Sequence, residues 1–588
     1  MTLDGITLGA LVRELQCLQD AKIEKIYQPE REELVFLLHT SLGKKRLLLS
    51  AAGGDCRLHL TETVKPNPDK APNFCMLLRK YLTGGRIQTV RQLGLERVVH
   101  LGISAKDEMG IPVTFTLVAE IMGKYSNIIL MGENGRILDS IRRVSFDVSR
   151  VRQVLPGMAY EAPPLLKHNP LEGSLVSLAD VLKNGRVPEC LVKRIEGMSY
   201  PAAEEVVWRA FGERIPDCLG ERDAMTLAEE VRCFVKEAVE HPQPCLQRNM
   251  DGLPVFYSPL PFHAYPKEGR MSFAQVNEML DSFYAQRSFL ATLNSRKNAL
   301  AKELKKHRAR VEKKLKIQLE TLAAAEKSDK YQLYGELLTA NIHLVKRGQT
   351  EVEVTNYYTG HPIRIPLEPA LSPSANAAKY FKRLNKLKNA AGIAKKQKET
   401  YEAELSYIES LEYTLTAAEQ LEEVQEVKLD MIKYGYYPDT PQKKKIRRED
   451  PLAQPKQFRS SDGATILAGR NGRSNDALTL HLAGDQDIWF HARNMPGSHV
   501  ILFTKGKQPT ETAIWEAAVV AATLSKGKHA GKVEVDYTPR ANVWKAKGAR
   551  PGMVLYEGHQ SITVAPDESL LHRLERKVTT ESSENAKE

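Results

Sequence analysis

The sequence predicts a multidomain α+β protein, and three observations carry that expectation. Residues 1–165 hold a series of short β-rich runs around one helix-like segment. Two long stretches in the middle of the chain space their apolar residues at helical intervals, and residues 457–566 return to short strands around an Ala-rich helix. At 588 residues, and with roughly 150 residues per domain, about three to five domains are expected.

In the first region Leu8–Leu18 reads as a helix. The runs Leu34–His39, Arg46–Ala51, Arg97–Ile103, Val113–Ile121 and Asn127–Met131 read as strands. Asn134-Gly135 sits between Ile128-Ile129-Leu130 and Ile137-Leu138, a hairpin signal because both residues tolerate positive φ. Pro156-Gly157 and Pro163-Pro164 close the region, giving a first domain over 1–170. Residues 171–270 are expected to be mainly helical. Within them Leu191–Ala203, centred on Gly197 and Ser199, has the look of a helix-hairpin-helix, which presents backbone N–H groups to a phosphate. A plain helical hairpin accounts for the same residues.

Residues 271–435 read as a coiled-coil arm. Ser272 and Gln275 form a capping-box start. Leu293, Leu304 and Leu315 recur every eleven residues, as do Leu300, Val311 and Leu322, which keeps one seam nearly straight along an α-helix. A second helix is expected from Ser374 to about Leu429, with Tyr401, Leu405, Ile408 and Leu411 on its apolar side. A small tip over about 331–372 would join the two into an antiparallel pair, about 55 residues reaching roughly 80 Å. From Asn294 to Lys330 there are twelve Lys/Arg against five Asp/Glu, a solvated face or a contact for RNA phosphate. Residues 436–456 read as a basic linker containing Lys443–Arg448. In 457–566 the strands are Thr465–Ala468, Ile488–His491, Val500–Phe503, Val533–Val535 and Ile562–Val564, with a helix over Thr510–Ser525. Residues 567–588 form a polar tail.

Composition narrows the function. Hydrophobic residues make up 42% and charged residues 27%, the balance of an ordinary globular protein. Lys and Arg outnumber Asp and Glu by 84 to 73, a net charge of +11 that points toward a polyanion. No stretch approaches the roughly 20 apolar residues of a membrane span, and no signal peptide is read at the N-terminus. Seven cysteines without a C-x-x-C pair suit a reducing cytosol rather than a zinc site or disulfide scaffold. A cytoplasmic location without metal or cofactor is expected.

No Walker loop, dinucleotide-binding glycine motif or nucleophile elbow occurs where its mechanism needs it. The richest cluster is Asp487-Ile-Trp489-Phe-His491 followed by Ser498-His499. Asp487, Trp489 and His491 alternate along a strand and share a face. Three readings stay open there: core polar residues at a turn, RNA contact through Trp489, His491 and His499, or a hydrolase. In the first domain Arg79, Lys80, Arg97 and Lys124 are candidates for one basic surface, with Glu96 orienting an arginine or accepting a ribose hydroxyl. Ordinary surface ion pairs are the alternative.

Several long blocks then resemble one family. Phe74–Leu82 (FCMLLRKYL), Glu120–Leu130 (EIMGKYSNIIL), Asp487–Leu502 (DIWFHARNMPGSHVIL), Tyr334–Asn341, Asn356-Tyr-Tyr358 and Asn376–Phe381 are similar, in order, to the NFACT family. The resemblance implies an N-terminal domain like that of Fpg/Nei DNA glycosylases, a helix-hairpin-helix region, a coiled-coil middle and a C-terminal RNA-binding domain. It implies no catalytic centre. The partners it implies are 50S ribosomal subunits with obstructed peptidyl-tRNA, alanyl-tRNA, and a small S4-domain RNA-binding protein. The implied activity is untemplated alanine tailing, with bond formation left to the ribosome. The family's tRNA-contacting residues fall on Asp4-Gly5 and Glu96-Arg97, with Glu96 where the family usually has Asp. Glycosylase chemistry is set aside because Thr2 replaces the proline it requires. Rival readings are a fibronectin-binding adhesin, after an old family name, and the hydrolase.

Overall fold

The computed structural model describes residues 3–106, 109–164, 167–183, 186–216, 218–250, 252–439 and 454–575. They form two compact units, Met1–Leu290 and Ala291–Glu588.

The first unit is built on a nine-stranded antiparallel sheet: β1 (Lys22–Glu30), β2 (Glu33–Thr40), β3 (Gly43–Ser50), β4 (Arg57–Leu60), β5 (Arg86–Gln92), β6 (Val98–Lys106), β7 (Pro112–Glu120), β8 (Asn127–Met131) and β9 (Ile137–Ser140). Their order is β4-β3-β2-β1-β5-β6-β7-β8-β9. Asn134-Gly135 makes the β8–β9 turn, with Gly135 at φ 71°. Strands β1, β4 and β5 are absent from the sequence reading. Charged residues and Pro29 punctuate β1, and β4 is only four residues long, so neither stands out as an apolar run.

Helix α1 (Gly5–Glu14), continued by a 3₁₀ turn over Leu15–Leu18, and α2 (Asn73–Leu82) cover the sheet and share its core. Then follow α3 (Leu175–Leu182), α4 (Glu189–Arg194), α5 (Tyr200–Phe211) and α6 (Glu221–Glu240), which form a separate helical core. Ile6 of α1 and Leu95 of the β5–β6 loop are buried in that second core, so the N-terminus bridges sheet and helices.

A small sheet of β10 (Cys245–Arg248), β11 (Pro254–Ser258) and β12 (Arg270–Ser272) leads into the long helix α7 (Val276–Glu326). The expected Ser272/Gln275 capping box does not form, because Ser272 ends β12. Instead the Glu14 carboxylate accepts the Val276 and Asn277 N–H groups at 2.7 and 2.9 Å. A carboxylate 262 residues away thus satisfies helix donors that a local side chain was expected to take.

In the second unit α7 runs antiparallel to α9 (Pro373–Ala417). Lys297 Nζ donates to the Thr416 carbonyl at 2.7 Å, Arg308 pairs with Glu412 at 2.5 Å, and Lys314 lies 5.5 Å from the Tyr401 ring. Leu293, Leu300, Leu304 and Val311 of the eleven-residue seam are buried. The tip holds α8 (Asp329–Ala340) and a hairpin of β13 (Glu351–Thr355) and β14 (Pro362–Pro366). The second arm helix does not run through to Leu429. It stops at Ala417, and α10 (Leu421–Lys433) restarts behind a Gln420/Glu423 capping box.

The C-terminal domain carries β15 (Lys456–Arg459), β16 (Thr465–Ala468), α11 (Gly472–Ala477), β17 (Ile488–Ala492), β18 (Val500–Phe503), α12 (Glu511–Thr523), β19 (Val533–Pro539), β20 (Val543–Trp544), β21 (Leu555–Tyr556) and β22 (Gln560–Val564). Six of its strands form one sheet, β15-β16-β18-β17-β19-β22, packed on α12. Two expectations change here. Tyr436, expected in the linker, is 3% exposed because it packs against Tyr407 and Arg550. Residues 568–575, expected in the polar tail, are helical and bury Leu570, Leu571 and Leu574 against the sheet. The basic run Lys443–Arg448 lies outside the described residues.

Candidate nucleic-acid interface

Three segments distant in sequence meet at the start of α1. Asp4 is its N-cap: one carboxylate oxygen accepts the Thr7 N–H at 2.8 Å. The other accepts the Ser199 hydroxyl at 2.5 Å. The Gly5 N–H donates to the Gly197 carbonyl at 3.1 Å. From the third segment, the Leu95 N–H donates to the Glu196 carboxylate at 3.0 Å, and the Gln92 amide reaches both the Gly5 and Glu96 carbonyls at 2.8 and 2.9 Å. Ser199, at the centre of the expected hairpin, is the residue that ties the hairpin to Asp4. Its hydroxyl turns to that carboxylate rather than capping α5.

Glycine is required at the crossing. A Cβ on Gly5 would lie 1.8 Å from the Leu95 carbonyl oxygen and 2.5 Å from the Gly197 Cα. Gly94 adopts φ +57°, with Glu196 directly behind it. The loop before β6 is therefore held rigidly, and Glu96 and Arg97 are presented half-exposed at its end. Among the described residues neither side chain makes a hydrogen bond or ion pair, although Arg97 exerts a favourable field on Asp4.

Burial raises the Asp4 carboxyl above its usual range against the hydrogen bonds from Ser199 and Thr7. Burial also raises Glu196, with Glu96 and Glu172 adding repulsion. The neighbouring Lys167 is pushed down by burial, which the Glu96 and Glu196 carboxylates oppose and Arg97 reinforces. The result, among the described residues, is a carboxylate and a guanidinium with no hydrogen-bond or ion-pair partner on a stiff loop. Such a pair can accept a ribose hydroxyl and grip a phosphate.

Asp4 and the Glu96-Arg97 pair are thus brought together, with Asp4 as scaffold rather than exposed contact: it is 8% exposed and both its oxygens are engaged. Arg79 and Lys80 sit on another element, α2. Arg79 Nε donates to the Ile26 carbonyl at 2.8 Å, and Lys80 is exposed beside the Tyr81 ring. Lys124 is exposed on the turn after β7, its ammonium 4.9 Å from the ring of Tyr125, which is itself exposed. Glu120, at the head of the same block, is buried and held by Arg152 at 2.5 Å and by Tyr160 at 2.9 Å. Glu196, Lys167 and Gln92 were missed by sequence reasoning. Only Glu196 carried a hint, as the neighbour of Gly197.

In the C-terminal domain two of the three rings expected to stack, Trp489 and His499, are core, while His491 is half-buried. Trp489 and His491 do share a face, their rings 5.7 Å apart, and His499 joins them at 5.3 and 5.5 Å. Trp489 is 0% and His499 1% exposed, so no base can stack on either without unpacking the sheet. His499 Nδ1 is engaged by the Thr479 hydroxyl at 2.8 Å. The Asp487 carboxylate accepts the Gly484 and Thr504 N–H groups at 2.8 and 2.9 Å, a loop clamp rather than a partner for a catalytic histidine.

His491 and His499 are expected to make this domain acid-sensitive. Burial lowers His491 from its ordinary 6.5 to about 4 and takes His499 well below the ordinary value. As pH falls below 6.5 the unfolded chain takes up protons that the folded one refuses. Stability is therefore complete above that value and is lost as pH falls toward the folded pKa. Each histidine contributes up to about 1.4 kcal/mol per pH unit in that window. Urea unfolding of the domain should give a lower midpoint at pH 5 than at pH 7; equal midpoints would refute the assignment.

The comparisons with known proteins fall on the same segments. Residues 4–450 match the family described as NFACT N-terminal and middle domains, and residues 455–563 match the NFACT protein RNA binding domain. The chain is 33% identical over 585 residues to the Rqc2 homolog RqcH of Bacillus subtilis, covering 98% of this chain and 100% of the relative. It is also 33% identical over 571 residues to the Rqc2 homolog RqcH of Streptococcus pneumoniae, covering 96% and 98%. Among solved structures, the N-terminal part of the fibronectin/fibrinogen-binding protein from Streptococcus suis aligns at 31% identity and TM-score 0.42, over 48% of this chain and 99% of that one. With Asp4-Gly5 and the Glu96-Arg97 loop inside the first matched region and all but the last residue of the C-terminal sheet inside the second, the chain belongs to the NFACT family.

Proposed function

We propose that this protein is a cytoplasmic ribosome quality-control factor. It binds large ribosomal subunits that still hold an obstructed peptidyl-tRNA, recruits alanyl-tRNA, and directs untemplated alanine addition to the stalled chain. The end-to-end match to relatives named Rqc2 homologs carries this reading. In it Glu96 and Arg97 contact tRNA, positioned by Asp4, Gly5 and the 196–199 hairpin. Arg79, Lys80 and Lys124 contribute phosphate contacts from neighbouring elements, and the basic arm reaches rRNA or a ribosomal protein. Peptide-bond formation belongs to the ribosome, and the chain supplies positioning only. A small S4-domain RNA-binding protein is a further partner in this scheme. Glu96 carries its carboxylate one methylene farther out than the aspartate usual in the family, which alters the reach of this contact but keeps its charge.

The test is sucrose-gradient fractionation of lysate followed by sequencing of RNA that co-purifies with the tagged protein. Co-sedimentation with 50S subunits and enrichment of alanine tRNA are expected. Protein left at the top of the gradient with no tRNA enriched would overturn the proposal.

A further inference from the structure

Away from the Glu96-Arg97 loop, a run of paired charge in the second unit lies where the C-terminal domain meets the base of the arm. Lys456 Nζ is 3.5 Å from Glu419, Arg470 2.7 Å from Glu423, and Arg473 2.6 Å from Asp430. Asn471 donates to Glu426 and Lys526 pairs with Glu409. Arg550 lies over the rings of Tyr407, Tyr434 and Tyr436 at 4.8, 5.3 and 5.7 Å and donates to the Tyr436 hydroxyl.

The polarity is uniform: in each of these ion pairs the cation belongs to the domain and the anion to the arm. Glu423, Glu426 and Asp430 follow one another at three- and four-residue intervals, so they line one face of α10 at about one charge per 5.4 Å turn. A row of anions at regular short spacing is also what a phosphodiester strand offers. The Glu423 and Asp430 side chains are 8% and 7% exposed, while those of Arg470 and Arg473 keep 28% and 33%. The arm therefore covers the carboxylates more fully than the cations, which retain an open side.

We propose that the face carrying Arg470, Arg473, Lys526 and Arg550 is a binding surface for the RNA phosphodiester backbone, and that the acidic stripe of α10 is its internal competitor. The inference rests on the reading of this chain as RNA-binding. In the closed state the carboxylates occupy the positions phosphates would take, and RNA engages only when the arm lets go. Arg470 and Arg473 keep an open side to solvent, where salt screens their pairing, so the latch can open. RNA gains counterion release when it replaces carboxylate at the same cations. Apparent RNA affinity is then the open-state affinity scaled by the open fraction.

The experiment uses the full-length chain and fluorescence anisotropy of a labelled single-stranded RNA oligonucleotide. The variant E423Q/E426Q/D430N removes the competing charge, while the amide introduced at position 423 keeps an acceptor for the capping box. It should bind about tenfold tighter than wild type if the latch is closed about nine-tenths of the time. Its affinity should also fall more steeply with salt, because wild type opens as salt rises. Adding R470Q/R473Q should abolish the gain. Hydrogen exchange on the wild type is independent of any substitution: RNA should speed exchange across residues 421–433. A triple variant that binds no tighter than wild type, or exchange there that is unchanged or slowed by RNA, overturns the latch while leaving RNA binding itself standing. If neither wild type nor the triple variant binds RNA even at low salt, the RNA-binding reading falls, and the latch falls with it.

Discussion

Gly5→Ala is expected to destabilise the first unit by roughly 3 kcal/mol or more, and tRNA binding should go with it. The added methyl would sit 1.8 Å from a backbone carbonyl oxygen and 2.5 Å from a backbone Cα. Neither is the end of a flexible side chain, so the strain has to separate α1 from the β5–β6 loop and the 196–199 hairpin. Those are the segments that the hydrogen bonds of Asp4, Gln92 and Glu196 hold together. Gly54→Ala is the internal control, since nothing lies within 4 Å of its Cβ position. It should be neutral within about 0.5 kcal/mol. Chemical denaturation of both variants decides the matter, and similar midpoints for the two would refute the argument.

Arg97→Ala is expected to weaken tRNA binding roughly 10- to 100-fold, the worth of one charge-assisted contact, while leaving unfolding unchanged. The second half follows from the structure: among the described residues the guanidinium makes no hydrogen bond or ion pair, so its loss strips nothing from the fold. The salt dependence of binding should become shallower by about one phosphate contact. Arg97→Lys should recover part of the affinity, because it keeps the charge but loses the planar fork. Filter binding of tRNA across a salt series, alongside a thermal melt, measures all of these. Wild-type affinity in Arg97→Ala would remove the loop from the proposed tRNA contact, and a lowered melting temperature would reassign the arginine to the fold.

Much of the architecture was written in local pattern. Short β-rich runs mark β2, β3, β6, β7 and β8, and Asn134-Gly135 marks a hairpin. The eleven-residue spacing of Leu293 with Leu304, and of Leu300 with Val311, marks the arm. Each signal works because it reports which face of a single element is buried, and that depends on residues a few positions apart. Where the pattern was weak the reading missed, as with four-residue β4 and charge-punctuated β1. The residue types at Asp4-Gly5 and Glu96-Arg97, and the missing short catalytic motifs, could likewise be read directly.

What joins those residues could not. Asp4 meets Ser199, and Leu95 meets Glu196, across 195 and 101 residues. The first turn of α7 takes its cap from Glu14 rather than from Ser272. Trp489 and His499, whose types suit stacking, are enclosed by their own sheet. The arm's carboxylates find the domain's arginines although each reads locally as a solvated charge. Sequence by itself determined most of the elements and the residue types at the candidate site. Tertiary structure decided which of those residues are scaffold, which are core and which are free to touch a partner, because contacts closed over a hundred residues arise from packing and leave no periodic trace along the chain.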